Sequence, residues 1–395
     1  MVISISGLAS KKLLVFVFFL FLTGMIFGID KEDIKVTAPT FKSNSGIDVT
    51  ELDNAAAEAF NDLRNTLYEN LYFLPDNLNK LAGAFANASV LSSDGASQRG
   101  YEGYNAFSFT VGFMGALKFP RNFMILDQIK NIANGGEGEF DFIKDNMDVG
   151  IGLDLQILNA QFGINVSKFL LEGLYLGFKF SKFDTDLIKV LPLSGFSFKT
   201  MSIGANASYQ LISQKRILAG LFVWRGLNLG TGFIWQNTSV GLALPLSEEL
   251  EDVTIPISLF EDISMPLNGA IGLGFEMNTY IVPIEAMTSV RLLGFLNVAL
   301  GAGIDVAFGS SSINAYGSFN VDKDKVNNDL PPGVTMDRAP SLELNLGGKS
   351  GPSIFNIKTM GAVGFNFGPF IIDIPVTWYF LDNGYSLGFT LGFSL

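Results

Sequence analysis

The feature that most limits what this chain can fold into is a strict alternation of apolar and small polar residues, repeated in segment after segment. From Met147 the sequence reads MDVGIGLDLQIL. Val149, Ile151, Leu153, Leu155 and Ile157 share one face, and Asp148, Gly150, Gly152, Asp154 and Gln156 the other. Side chains along a strand point to opposite faces in turn, whereas a helix repeats about every 3.6 residues, so period two selects β structure. The pattern returns at Phe107–Phe113, Ile203–Leu211, Leu296–Val306 and Phe370–Trp378. Another run sets Ile271, Leu273, Phe275 and Met277, read as the outward face, against Gly272, Gly274, Glu276 and Asn278.

A soluble sheet alternates too, but it covers its outer face with charged side chains. Here the polar face is largely Gly, Ser and Asn, and only 16% of residues are charged against 48% hydrophobic. Soluble domains carry about 25% charged residues. After residue 29 the chain has no apolar run of about 18 residues, the length a helix needs to cross a bilayer. Closed β-barrels are the other structure that satisfies every backbone group inside lipid. The prediction is an all-β membrane protein, an antiparallel transmembrane β-barrel, with a secreted β-sandwich as the alternative. Residues 101–395, at roughly 18–25 residues per strand and connection, give about 14 strands within a range of about 12–16. The last strand alternates Leu387, Phe389, Leu391, Phe393 and Leu395 with Ser and Gly, and resembles the C-terminal signal by which bacterial outer-membrane barrels are recognised for insertion. That resemblance implies the barrel assembly machinery as a partner, and outer-membrane lipid as the surroundings.

Two segments precede the barrel. Residues 1–28 hold Lys11 and Lys12, the run LLVFVFFLFL and small residues Gly24 and Gly28, the order of a secretory signal peptide; an uncleaved anchor is the alternative. Cleavage predicts export to the outer membrane of a diderm bacterium. Residues 29–100 then change to helical spacing. Leu52, Phe60, Leu63, Leu67 and Leu71 fall on one helical face, and Leu78, Leu81 and Phe85 on that of a second helix beyond Pro75. Both faces must be buried. They predict a plug in the barrel lumen, a segment docked beneath the barrel in the periplasm, or an oligomer contact.

An N-terminal plug followed by a Phe- and Gly-rich barrel of about 14 strands resembles the long-chain fatty-acid transporter (FadL-like) family. The resemblance lies in architecture and composition over residues 49–395, without a shared motif. It implies a barrel that passes hydrophobic compounds and is closed by an N-terminal hatch.

Chemistry is narrowed by two absences. The chain has no histidine and no cysteine. That removes imidazole bases, ordinary zinc sites, disulfides and thiolate nucleophiles, so no enzyme and no cofactor is predicted. A net charge of -12 argues against nucleic acid as a partner. On the polar strand faces, Asp148, Asp154, Lys179, Glu276, Glu285, Arg291, Asp305 and Asp373 are the candidate lumen-lining charges. They could set a preference for cations, or pair with one another because charges in a low dielectric need partners. The function predicted is passive uptake of hydrophobic or other small molecules through a gated outer-membrane channel. The alternatives are a general diffusion porin and a surface adhesin barrel with a passive lumen, whose long loops bind host or matrix molecules.

Overall fold

The computed structural model describes residues 34–44, 46, 48–71, 75–93, 107–120, 150–165, 173–185, 196–217, 221–246, 253–255, 263–265, 267–321, 323, 326–327, 330 and 332–394. The expected signal segment lies outside these residues. The N-terminal part gives strands β1 (Ile34–Thr37) and β2 (Thr40–Ser43) and helices α1 (Thr50–Leu71) and α2 (Pro75–Leu91). Pro75 opens α2, a position where its missing N–H costs nothing. The strands that follow are β3 (Phe107–Lys118), β4 (Gly150–Asn165), β5 (Leu174–Asp184), β6 (Phe196–Ile212), β7 (Lys215–Ile217) and β8 (Phe222–Leu246). Next come β9 (Val253–Ile255), β10 (Ile263–Met265), β11 (Leu267–Leu292), β12 (Leu296–Val321) and β13 (Val334–Arg338). The last four are β14 (Ser341–Ser350), β15 (Phe355–Phe367), β16 (Phe370–Tyr379) and β17 (Gly384–Ser394).

Among the described residues the main sheet has thirteen strands, inside the range expected from chain length, and it closes on itself. The closed path runs β12-β11-β8-β6-β5-β4-β3-β17-β16-β15 and returns to β12, a ring of ten strands. Its first and last strands in sequence are paired, from Ser108↔Ser394 to Lys118↔Gly384. The three strands outside the ring are β14, β1 and β7. β15 lies along residues 296–306 of β12, and β14 along residues 311–320, so the two are halves of one path interrupted at residues 351–354. β1 adds to the far edge of β14, and β7 to β8. Every pairing is antiparallel, and between β11 and β12 the reversal is made at Leu293 (φ 52°) and Gly294 (φ 79°), the left-handed pair a tight hairpin requires.

The strands differ greatly in length. β16 and β17 have 10 and 11 residues, whereas β11 and β12 have 26 each. About 9–11 residues suffice to cross a bilayer, so β8, β11 and β12 continue past it on one side, here called the upper side, where β14 also lies. At membrane level the outward face is apolar: Ile284, Leu300, Ile304, Ile357, Val376 and Leu387 all stand exposed. Aromatic pairs bound this band. Phe295–Phe367 (6.4 Å) and Phe370–Phe393 (5.8 Å) lie at the lower edge. Phe233–Tyr280 (6.1 Å), Tyr280–Phe308 (6.4 Å) and Trp378–Tyr385 (6.2 Å) lie at the upper edge. At about 3.3 Å per residue and roughly 40° tilt, the stretch from Phe295 to Phe308 spans about 33 Å, a bilayer with its interfaces. The fold is an antiparallel transmembrane β-barrel with a helical N-terminal segment.

Above the band the same strands exchange faces in polarity without changing register. Odd-numbered residues of β11 from Phe275 onward point inward; at membrane level they include Glu285 and Ser289, higher up Phe275 and Met277. The expectation that Phe275 and Met277 face outward and Glu276 lines the lumen is therefore corrected: Glu276 is exposed on the outer face. Lipid outside makes the outer face apolar below, and water outside makes the inner face apolar above. There Ile34, Leu78, Leu81, Phe275, Ile313 and Leu346 form one core.

Candidate functional site: the lumen and the helix in its mouth

The two helices do not share a place. Leu52 and Phe60 of α1 pack with Phe41, Val321, Val334 and Met336 in a separate core beside the β2–β13 ribbon. The side chains of Leu63, Leu67 and Leu71 lie outside the described residues. Leu78, Leu81 and Phe85 of α2 join the upper core rather than the lumen. Two helices of about 10–12 Å each would not fit a ring of ten strands, which is little wider than an eight-stranded barrel filled by its own side chains. What enters the ring is the second half of α2 alone, and the sequence makes it slim: ANASV from Ala86 to Val90.

The walls accept this half-helix from opposite sides. On β4, Gly150 and Gly152 lie so close that an added Cβ would fall on the carbonyls of Ala84 and Ala88. The glycines at these positions are thus required by close approach. On the facing wall Val90 packs with Ile234, Ile281 and Ala307, while Ser89 Oγ meets Thr279 Oγ1 at 3.1 Å and Gln236 Nε2 donates to Ser92 Oγ at 3.3 Å. Where β14 gives way to β15, two asparagines of α2 satisfy backbone amides. Asn79 Oδ1 accepts the Lys349 N–H at 2.9 Å, and Asn87 Oδ1 accepts the Ser353 N–H at 2.6 Å.

Beneath the helix end the inward side chains are polar, and the ionic ones are shielded from solvent. Lys179 of β5 pairs with Asp154 of β4, which also accepts the Ser181 hydroxyl at 3.1 Å. Across the ring, Lys358 of β15 lies between Glu285 of β11 (2.5 Å) and Asp305 of β12 (2.7 Å), with the Tyr379 ring 6.0 Å from its ammonium. Lower down, Arg291 Nε donates to Asn297 Oδ1 at 3.0 Å, and Asn297 donates in turn to Asn366. Asp373 is buried on β16 beside Gly364. Asp154, Lys179, Glu285, Arg291, Asp305 and Asp373 thus all turn into the barrel, Glu276 does not, and Asp148 lies outside the described residues. Grouping is by wall, with two ion clusters on opposite sides.

Lys358, the cation that holds two of these carboxylates, was not among the sequence candidates. Its strand carries the signal in weak form: Phe355, Ile357, Val363 and Phe365 oppose Asn356, Lys358, Met360 and Ala362, but Thr359 and Gly361 interrupt the apolar side. A small cavity under the helix end is lined by Met114, Met287, Met360, Lys358, Thr377 and Tyr379. No group of metal-ligating side chains occurs among the described residues.

Barrel, apolar belt and mouth-filling helix define the class: a transmembrane β-barrel with an N-terminal segment folded into its upper opening. The chain belongs to the Lsa36-like family, whose model matches residues 34–395. A comparison with curated protein sequences finds no match. Among solved structures, the chain is similar to the toluene transporter TbuX of Ralstonia pickettii (10% identity, covering 80% of this chain and 99% of that one, TM-score 0.22). It is similar also to the CymD monoaromatic hydrocarbon channel (12%, 80% and 97%, TM-score 0.23). A third is the attachment invasion locus protein Ail of Yersinia pestis (10%, 72% and 94%, TM-score 0.18).

Proposed function

We propose that the protein is an outer-membrane channel for passive uptake of small molecules, held closed by α2. The observation that carries this reading is the fit of the second half of α2 between Gly150 and Gly152 on one wall and Thr279 and Gln236 on the other. A half-helix accommodated by glycine clearance, and held by the packing of Val90 and Leu91 and a few hydrogen bonds, can leave without unfolding the barrel, whose strands pair with one another without it. Cargo with an apolar part is favoured by the methionines lining the cavity, since thioethers adapt to varied shapes. The polar groups at that level favour small molecules that also hydrogen-bond. In this reading the chain is exported by its signal segment, inserted by the barrel assembly machinery into the outer membrane of a diderm bacterium, and performs no catalysis.

The test is planar-bilayer recording. The full chain should show rare openings, and Gly152→Val, which forces α2 away from β4, should raise conductance about tenfold, as expected of an overpacking cost of about 1–3 kcal/mol. A large, steady conductance from the full chain would sink the gated reading and favour a diffusion porin.

A second reading, a surface-interaction barrel with a passive lumen, is favoured by the separate upper core of α1, β2 and β13, which meets the ring at Val321, the end of β12. It predicts that binding of a surface ligand is lost when the connections at residues 121–146, 247–265 and 322–340 are replaced by short turns, with conductance unchanged.

A further inference from the structure

We propose that Tyr379 is a positioning residue for α2, coupling the Glu285–Lys358–Asp305 cluster to the end of the helix so that an intact cluster keeps the helix seated. The proposal rests on the reading of α2 as a gate.

Tyr379 ends β16 and is the largest fully buried side chain among the described residues. Its ring packs with Leu91 of α2 and Ala116 of β3, and faces the Lys358 ammonium at 6.0 Å. Its hydroxyl has two acceptors in reach: the Leu91 carbonyl at 3.5 Å, and the Asp305 carboxylate, with which it also interacts. A phenol has one proton to give. It serves one acceptor fully or the other.

Lys358 decides between them. While its ammonium contacts Asp305 at 2.7 Å, that carboxylate is compensated and the phenolic proton is available to Leu91. The Leu91 carbonyl accepts it at the end of the helix. The last four carbonyls of a helix have no partner within the helix. In α2 those of Ala88, Ser89 and Val90 are served by Ser92 and Ser93, and that of Leu91 by the Tyr379 hydroxyl. If Lys358 is removed, Asp305 becomes a buried carboxylate without its cation. It then draws the phenolic proton into a charge-assisted bond, which is stronger than a neutral one. The Leu91 carbonyl loses its donor although nothing in α2 has changed. Loss of the hydroxyl and loss of the ammonium therefore act through the same bond, and their effects should not add.

The chain has no cysteine, so a single near-isosteric Ser93→Cys at the helix end reports the position of α2. In the full chain reconstituted in liposomes, maleimide should label this residue slowly. Tyr379→Phe should speed labelling about two- to tenfold, the factor for one lost hydrogen bond. Glu285→Gln with Lys358→Met, which conserves net charge, should speed it to a similar degree, and adding Tyr379→Phe to that pair should add nothing further. Labelling of Tyr379→Phe at the unsubstituted rate, or effects that multiply in the triple variant, would overturn the proposal. Faster labelling with no rise in conductance supports the coupling and counts against the channel reading, so the two can fail separately.

Discussion

The lower and upper halves of β11 and β12 are the same two strands in one unbroken register, yet they bury opposite kinds of side chain. At membrane level Ile284 and Leu300 face outward and Glu285 and Asp305 inward. Some ten residues higher, Phe275 and Ile313 face inward, while Glu276 and Asn314 are exposed outside. No bulge turns the ladder over between them. The difference shows that the surroundings, not the strand, decide which face of an alternating segment is apolar: a hydrocarbon exterior below, water above. It also explains why α2 is amphipathic in halves, with Leu78, Leu81 and Phe85 in the apolar upper core and Ala- and Ser-rich turns in the polar mouth.

If that account holds, equivalent changes in the two halves should have very different consequences. The largest contrast concerns ion pairs. Lys358→Met leaves Glu285 and Asp305 without their cation in the lower half and should cost about 3–5 kcal/mol. In the upper half Lys42 and Asp337 pair at 3.2 Å with more than half of each side chain exposed, and Lys42→Met should cost at most about 1 kcal/mol. Urea titration of refolding into liposomes measures both.

A smaller contrast comes from the outer face of β12. Leu300→Arg places a cation against hydrocarbon and should cost about 2–4 kcal/mol. Asn314→Arg, on the same face of the same strand, should fall within about 0.5 kcal/mol of the unsubstituted protein. Equal costs at the two positions would mean that the whole strand lies in one medium.

The smallest effect belongs to the upper half alone. Asp48, fully exposed before α1, accepts the Thr50 N–H at 2.9 Å, and hydrogen bonds from the Thr50 side chain and backbone hold its carboxyl below its ordinary value of 3.8. A lowered carboxyl stabilises the folded state above its unfolded value and loses that contribution as pH falls through the lowered one. The protection of the first-turn amides of α1, measured against their intrinsic exchange rate at each pH, should therefore fall below about pH 3.8 and stay level between about pH 5 and 8. Asp48→Asn should abolish the pH step.

The sequence disclosed the barrel because period two survives whichever way a strand faces. It disclosed the helices because leucine spacing and Pro75 are local signals. It misassigned Glu276, since alternation labels two faces without saying which one meets lipid, and the apolar set at 271–277 belongs to the part of β11 that has left the membrane. The depth to which α2 enters was also hidden: its limit is the width of a ring whose strand number depends on long-range pairing. The partner of Glu285 and Asp305 lies 53 and more residues away on β15, in a strand whose alternation is broken by Thr359 and Gly361.

The exchange of faces along one strand is tested most directly by spin labels at two single cysteines, Ile284→Cys and Glu276→Cys, in the full chain reconstituted in liposomes. The label at 284 should collide with oxygen dissolved in the bilayer and be shielded from a water-soluble nickel complex. The label at 276 should show the reverse. The same preference at both positions would contradict the account.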